Sequence, residues 1–307
     1  MRPDPRPAIG PRIDLHTHSS CSDGTQTVGE LARAAAAAGL DTFALTDHDT
    51  TMGWASASDA ARESGVAIVP GIEVSSVADR RSVHILALLP DVSAGSALVR
   101  LIDRARESRL SRARRMVDAL AVDFPLTWDD VLAQVADPTT SVGRPHIADA
   151  LVAAGLASDR GDAFARMLSP DAPYYQGYWA PEPAEAVEAI RAAGGVAILA
   201  HPGSSTRGRR GGTGAVPIAG DAGVDRAVVD AMVDAGLMAI EVDHREHSEQ
   251  ERSVLREYAA SRRLLVTGGS DYHGAGKPNR LGENLTSPDV LEALIAVSSS
   301  KTEVLRP

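Results

Sequence analysis

The sequence predicts an α/β fold: a distorted, seven-stranded (β/α)7, TIM-like barrel with a mainly helical insertion domain. Short apolar runs alternate with helical stretches along most of the chain, as expected for repeated β-then-α units. Charged and imidazole side chains collect at the ends of those runs. The 307 residues suffice for one barrel that carries an insertion. Repeated units of this kind predict a parallel sheet, open or closed into a barrel.

Seven apolar runs are the candidate strands. They cover residues 13–18, 42–46, 66–74, 83–89, 196–200, 238–242 and 264–267, and Pro70-Gly71 is expected to break the third. Helices are predicted between most of the strands, at about 27–39, 53–64, 94–120, 183–193, 224–235, 247–262 and 287–298. The first helix has a capping-box pattern at Thr27 and Glu30, and Gly39 is expected to end it.

Residues 101–179 interrupt this alternation, because they contain helical patterns and few strand signals. We expect them to form a helical insertion domain that contributes to substrate binding. The two flanking segments, 1–100 and 180–307, are expected to form the barrel that carries the functional site. A second insertion is predicted at 203–220, a loop rich in Gly, Arg, Ser and Thr.

The bulk composition excludes several classes of protein. The net charge of −10 argues against a general nucleic-acid coat protein, although a local positive site could still bind an anion. The single cysteine, Cys21, excludes an intrachain disulfide and a metal site built from several cysteines. No apolar run is long enough to span a bilayer, and the N-terminus lacks the apolar segment of a signal peptide. We therefore expect a cytoplasmic protein with no membrane or obligate protein partner.

The chemistry is indicated by histidines, of which six of nine lie at or near the candidate strand ends. His16 and His18 are two residues apart in the first strand, so both side chains point to the same face. One such pair is a weak signal, because two surface histidines would give the same pattern. The pattern is repeated, however, at the other strands: Asp23, Asp47-His48-Asp49, Glu73, His84, His201, Asp271 and His273.

So many ionisable groups at strand ends would be costly to bury without a common partner. In a β/α barrel these ends converge on one face, where active sites form. A metal is the simplest partner, and ligands offering only nitrogen and oxygen suit Mn, Zn or Fe. Unrelated histidines at strand ends remain the alternative interpretation.

The segments DLHTHSSCSDGT, LTDHDT, GIEVS, HIL, AHPG and GSDYHG, in this order, resemble the motif set of the PHP (polymerase and histidinol phosphatase) family. The resemblance covers both halves of the chain and breaks mainly in the insertion. Together with the segment GRPH, it is similar to the branch that includes nucleoside 3',5'-bisphosphate phosphatases and 5'-3' oligonucleotide exonucleases. The resemblance implies a metal-dependent phosphoesterase.

The resemblance also implies a site of three divalent metal ions, most readily Mn, with Fe or Zn as alternatives. One ion would be held by His16, His18, Glu73 and Asp271, a second by Glu73, His84 and His201, and a third by Asp23, His48 and His273. Glu73, His201 and Asp271 are the expected catalytic ligands, with Glu73 bridging two ions. A hydroxide between metals would then attack phosphorus without a covalent enzyme intermediate.

Substrate phosphate is expected to bind two arginine-containing segments. Arg144 and His146 lie in GRPH, where Pro145 suits a helix start, and a solvated helix start is the alternative. Arg207 and Arg209 lie in a Gly-rich loop, for which a solvated, disordered loop is the alternative. The expected substrate is a small phosphorylated molecule, either a nucleotide or a short 5'-phosphorylated oligonucleotide.

Other features are assigned structural roles. The arginine-rich helix from Arg100 to Arg115 could attract nucleic acid, but we expect it to be a solvated helix. His244 and His247 are expected at the surface, although His244, just past the sixth strand, could touch substrate. A histidinol-phosphate-type phosphatase remains an alternative function. An amidohydrolase is disfavoured because neither lysine, Lys277 nor Lys301, lies at a central strand end to bridge two metals. A non-catalytic nucleotide-binding module is disfavoured because no expected ligand is missing.

Overall fold

The computed structural model describes residues 10–79, 81–135, 140–203, 217–220 and 223–307. A single sheet contains seven strands in the order of the chain. They are β1 (Ile13–Thr17), β2 (Thr42–Leu45), β3 (Ala67–Ala78), β4 (Arg81–Leu88), β5 (Val196–Leu199), β6 (Ala239–Asp243) and β7 (Leu265–Gly268). The sheet curves until its edges meet: the backbone N–H of His18 donates to the carbonyl of Tyr272 at 2.9 Å. The predicted α/β fold with a nearly closed, seven-stranded barrel is confirmed.

The expectation of an entirely parallel sheet is wrong at β4. Strands β1, β2 and β3 are parallel to one another, as are β5, β6 and β7, but β4 is antiparallel to both of its neighbours. The reason is that β3 and β4 are joined by a hairpin rather than by a crossover helix. This reversal brings the first half of β4, which contains His84, to the end of the barrel where the parallel strands finish.

The predicted break of β3 at Pro70-Gly71 is also wrong, because the strand is continuous from Ala67 to Ala78. Pro70 still takes part in pairing through its carbonyl, which accepts from the N–H of Leu89 at 2.8 Å. At Gly71 a Cβ atom would lie 2.9 Å from Cγ2 of Thr46, so only glycine passes this point without displacing a neighbour. The unbroken strand carries Glu73 into the centre of the barrel end.

Ten α-helices lie in the described part of the chain, and the seven predicted helices are among them. They are α1 (Val28–Ala37), α2 (Trp54–Ser64), α3 (Ala97–Leu120), α4 (Trp128–Leu132), α5 (Arg144–Ala153), α6 (Arg160–Ala163), α7 (Pro183–Ala192), α8 (Arg226–Ala235), α9 (Glu249–Arg262) and α10 (Pro288–Val297). The capping box of Thr27 and Glu30 forms as expected. None of the helices in the described residues is both long and apolar enough to cross a membrane.

Helices α3 to α6 and a π-helical turn at Phe164–Leu168 lie between β4 and β5. They share a hydrophobic cluster of their own, which includes Met116, Val131, Ile147 and Leu168. The first turns of α3 instead pack on the barrel through residues such as Leu98. Helix α3 therefore links the two cores. The proposed division into a barrel and an insertion domain at residues 101–179 stays a prediction.

Candidate metal centre

The centre is built around one carboxylate, Glu73, which is 1% exposed on β3. Its two oxygens face different sets of histidines. The Oε1 atom lies 2.7 Å from Nδ1 of His84 and 3.0 Å from Nε2 of His201. The Oε2 atom faces three further ring nitrogens at 3.0 to 3.2 Å, those of His16, His18 and His48. A carboxylate placed in this way can bridge two cations.

Local backbone geometry aims these rings. The alternation of β1 places the rings of His16 and His18 on one face, with centroids 5.2 Å apart. After β7, Asp271 takes a positive φ of 52°, an uncommon conformation for a residue other than glycine. The ring of His273 then stacks on that of His18, with centroids 4.1 Å apart. The end of the barrel is thus lined by imidazoles from several strands.

Three groups of side chains place one ligand atom each within 4.8 Å of one another. The groups are His16, His18, Glu73 and Asp271; then His18, Asp23, His48 and His273; and finally His48, Glu73 and His84. The first group has the composition predicted for one ion, and the second contains the three residues predicted for another. His201 lies outside these groups but contacts the Glu73 oxygen that also faces His84.

The polar atoms at this centre fit a metal better than they fit one another. Six of them are buried and form no hydrogen bond, although the ring nitrogens lie close to carboxylate oxygens: Nε2 of His16, His18 and His273, Nδ1 of His48 and His84, and Oε2 of Glu73. Buried polar atoms are nearly always satisfied, so this many unsatisfied atoms in one place indicate a missing partner. Nitrogen and oxygen ligands of this kind suit a transition-metal ion.

The electrostatics agree with cation binding. Burial acts to raise the pKa of Glu73, but the histidines around it, His48 first, lower it well below its ordinary value. The pKa values of Asp23 and Asp271 are also lowered well below the ordinary range: burial opposes this, but neighbouring histidines, His273 first, outweigh it at Asp23, as Lys277 does at Asp271. In contrast, the same carboxylates raise the pKa of His18 to about 9, against the effect of burial. All three carboxylates are therefore ionised at neutral pH, and a metal ion would displace protons from such histidines.

A second buried carboxylate, Glu241 on β6, was not predicted. It lies 3.1 Å from Nδ1 of His16 and accepts from the backbone N–H of His201 at 2.8 Å. It therefore fixes the orientation of one imidazole and the backbone that carries another. The sequence does contain a signal, because Ala-Ile-Glu-Val at 239–242 repeats the pattern of Gly-Ile-Glu-Val at Glu73, with a carboxylate inside an apolar strand.

The expected surface positions of His244 and His247 are wrong, because both are buried, at 1% and 3% exposure. The loop after β6 folds back over the centre, so that the rings of His244 and His201 lie 5.4 Å apart between centroids. Nδ1 of His244 accepts from the N–H of Glu246, and its Nε2 is directed toward Asp271 at 3.8 Å. Sequence position alone does not reveal the course of this loop.

The arginine-rich helix α3 also differs from expectation, because two of its arginines are buried rather than solvated. Arg109 donates to Oδ2 of Asp49 at 2.7 Å and to Oγ of Ser75 at 3.1 Å. Asp49 directly follows His48, so this ion pair borders the metal centre. Arg112, one turn later on α3, is likewise buried.

The predicted phosphate-binding residues lie near these arginines. His146 is buried, and its Nδ1 accepts from the N–H of Gly143 at 3.1 Å. The guanidinium of Arg144 donates to the carbonyl of Leu168 and lies 5.3 Å from the ring centre of Phe164. Neither residue forms an ion pair with a carboxylate in the described part of the chain. The predicted Arg207 and Arg209 lie outside the described residues.

Comparison with known proteins agrees with this geometry. Residues 14–135 match the PHP domain. Over 268 residues the chain is 35% identical to a 3',5'-nucleoside bisphosphate phosphatase from Chromobacterium violaceum, covering 87% of this chain and 89% of that protein. It is 33% identical to a 5'-3' exoribonuclease from Haemophilus influenzae, covering 93% and 97%. A Bifidobacterium adolescentis structure assigned to the metal-dependent phosphoesterases superposes with a TM-score of 0.86 at 42% identity, covering 94% and 97%.

The nearly closed barrel and its buried histidine–carboxylate centre define a hydrolase of the metal-dependent phosphoesterase class. The chain belongs to the PHP family.

Proposed function

We propose that this phosphoesterase acts on nucleotides, removing the 3'-phosphate of nucleoside 3',5'-bisphosphates. The observation that carries the proposal is the metal centre with buried arginines at its border, which suits a substrate with more than one phosphate. The C. violaceum relative, a 3',5'-nucleoside bisphosphate phosphatase, supports this substrate class. Short 5'-phosphorylated oligonucleotides are the second candidate substrate, which the H. influenzae exoribonuclease supports.

We assign three divalent cations to the centre, with Mn as the first choice. His16, His18, Glu73 and Asp271 would hold one, Glu73, His84 and His201 a second, and Asp23, His48 and His273 the third. Their contacts around Glu73 support the assignment, since each carboxylate oxygen faces its own set of rings. When bound, the metals would supply water activation and charge neutralisation at the phosphate.

The chain's own residues hold and orient the reacting groups. Glu73, His201 and Asp271 are the proposed catalytic ligands, and Glu241 fixes His16 and His201 from behind. The ring of His146 is kept neutral at neutral pH, because burial lowers its pKa. With Nδ1 accepting from Gly143, the N–H of the neutral ring is at Nε2, where it can donate to a phosphate oxygen. Arg144 would supply a charge on the same side of the centre.

Release of inorganic phosphate from a nucleoside 3',5'-bisphosphate by Mn-loaded protein tests the proposal. We expect release to stop when a chelator is added and to resume with excess Mn, with the nucleoside 5'-monophosphate as the organic product. The variant Glu73→Gln should lose activity by at least about a thousandfold, because it removes the charge shared by two cations. The matched control is Glu257→Gln, at an exposed position of α9.

Recovery of the 3'-monophosphate as the product would contradict the assigned bond. If the bisphosphate is untouched by protein with confirmed metal content, the nucleoside bisphosphatase proposal fails. Release of mononucleotides from a short 5'-phosphorylated RNA would then identify the second candidate as the activity.

A further inference from the structure

A group of arginines beside the metal centre has more positive charge than its neighbours balance. The positive charges of Arg109 and Arg144 lower the pKa of Arg112, and the charge of Arg109 also lowers the pKa of Arg144. In the described structure, the only ion pair that these three arginines form joins Arg109 to Asp49. The group, which we call the arginine cluster, therefore contains three guanidinium groups and one carboxylate. A buried cation without a counterion is costly, so a cluster of this kind is suited to binding an anion.

Arg112 is the member with the fewest partners. It is 3% exposed, no described carboxylate pairs with it, and its Nε has no hydrogen-bond partner. Its guanidinium lies over the ring of Tyr178, 4.2 Å from the ring centre. Burial and then the charge of Arg144 lower the pKa of Arg112 to about 10, which still leaves it protonated at neutral pH. The guanidinium thus packs against an aromatic ring, while no described carboxylate accepts a hydrogen bond from its N–H groups.

Two sets of contacts place the arginine cluster next to the metal centre. On one side, Arg109 pairs with Asp49, which follows His48, and Arg112 lies one helical turn away along α3. On the other side, the hydroxyl of Tyr178 is 3.5 Å from Oγ of Ser82, which in turn is 2.9 Å from Nε2 of His84. Intermediate residues therefore link Arg112 to His48 on one side and to His84 on the other, but Arg112 itself contacts neither histidine.

We propose that Arg112, with Arg144 beside it, binds the phosphate of the substrate that is not cleaved, the 5'-phosphate of a nucleoside 3',5'-bisphosphate. This inference rests on the proposed function for the identity of the bond cleaved. The planar guanidinium of arginine binds two phosphate oxygens at once, and a second phosphate there would fix the nucleoside relative to the metals. The cluster would thus select substrates that carry a second phosphate.

The test compares two substrates with one variant. Arg112→Met should lower kcat/KM for a nucleoside 3',5'-bisphosphate by about 10- to 100-fold, the loss typical of one charged hydrogen-bonding contact. It should leave kcat/KM for the matching nucleoside 3'-monophosphate unchanged, because that substrate has no 5'-phosphate. Arg112→Lys keeps the charge and should recover part of the loss. The control is Arg115→Met, an exposed arginine on the same helix.

A stability measurement separates this role from a structural one. Because Arg112 is an unpaired buried cation, Arg112→Met should leave the melting temperature of the ligand-free protein unchanged or raise it. A lowered melting temperature with equal losses on both substrates would show a structural role and overturn the proposal. Unchanged kinetics on both substrates would also overturn it.

If neither substrate is hydrolysed, a direct binding measurement tests the proposed anion site. Calorimetric titration of the Mn-loaded wild type with a nucleoside 5'-monophosphate should then give binding that Arg112→Met weakens at least about tenfold. That result would retain the anion site while the bond assignment of the proposed function fails. Equal affinity of the two proteins would overturn the anion site itself.

Discussion

Glu241 acts on the metal centre through residues that it holds in place. Its carboxylate faces Nδ1 of His16, so the opposite ring nitrogen, Nε2, is the one presented to Glu73 and Asp271. Burial acts to raise the pKa of Glu241, but the charge of His16 lowers it to about 2, so the group is ionised at neutral pH. Such outer carboxylates orient the ligand ring and increase its basicity.

Glu241→Gln should therefore weaken metal binding by about 10- to 100-fold without abolishing the fold. The amide cannot accept from the ring as strongly as the carboxylate, so His16 becomes a poorer and less oriented ligand. Metal content after dialysis against graded concentrations of a chelator measures the effect. Glu257→Gln serves as the control, and equal metal retention by the two variants would show that Glu241 has no part in binding.

His146 allows a prediction about pH. Burial lowers the pKa of this side chain below its ordinary value of 6.5, so the unfolded chain binds the proton more readily than the folded protein does. Stability contributed by neutral His146 is therefore present above pH 6.5 and decreases as the pH falls toward the folded-state pKa.

The variant His146→Gln keeps an acceptor for the N–H of Gly143 but cannot titrate. Its free energy of unfolding should decrease less than that of the wild type between about pH 7.5 and about pH 5.5, measured by urea denaturation with metal present. The other histidines are common to both proteins, so the difference between the two curves reports His146 alone. Parallel curves would mean that the pKa of this ring is the same in the folded and the unfolded protein, so that burial does not lower it.

At the scale of single residues, the sequence indicates ligands better than it indicates their surroundings. Glu73 and His201 can be inferred because a charged group interrupts an apolar run. Arg112 cannot, because its burial depends on Tyr178 and Arg144, which are far from it in the chain. The arginines of α3 also lie on several faces, so periodicity does not distinguish the buried ones from those in solvent.

At the scale of elements, the loop after β7 must come very close to both β1 and β6. A Cβ atom at Gly269 would collide with Oε1 of Glu241 and with Cβ of His16. Glycine at this position therefore allows the contact between Glu241 and His16 to form.

Gly269→Ala should lower the free energy of unfolding by about 1–3 kcal/mol, the usual cost of overpacking. It should also weaken metal binding, because the new methyl group displaces Glu241 from His16. Thermal melts and chelator competition measure the two effects. Gly177→Ala is the control, since a Cβ there meets no atom within 4 Å. A loss of stability with unchanged metal affinity would show that Gly269 has no effect on metal binding.

Helices and strands differ in how far residues nearby in the sequence determine them. Helix starts such as Thr27 and Ser248 are marked by capping boxes, whose partners lie three residues away. The direction of β4 is set by its hairpin with β3, whereas its other neighbour, β5, comes from more than 100 residues later in the chain. The apolar pattern predicts the existence of this strand but not the hairpin that reverses it, and only the reversal explains why His84 reaches the same end as His201.

At the scale of the whole molecule, the metal centre connects most of the barrel strands. The proposed ligands come from β1, β3 and β4 and from the segments that follow β1, β2, β5 and β7. Without a cation, several buried polar atoms at this point lack hydrogen bonds, which reduces the stability of the closed barrel. Metal binding should consequently stabilise the whole fold rather than one loop.

Chelated protein should therefore melt several degrees below Mn-loaded protein, because each cation present at about 100 times its dissociation constant adds about 2.7 kcal/mol. The increase in melting temperature caused by Mn should become smaller as the pH is lowered, since protons compete with the metal for the imidazoles. Glu73→Gln should show a smaller increase than the wild type, because it removes the carboxylate charge shared by two groups of ligands. Equal melting temperatures with and without confirmed bound metal would mean that the histidine end of the barrel is preformed and that its closure does not depend on cations.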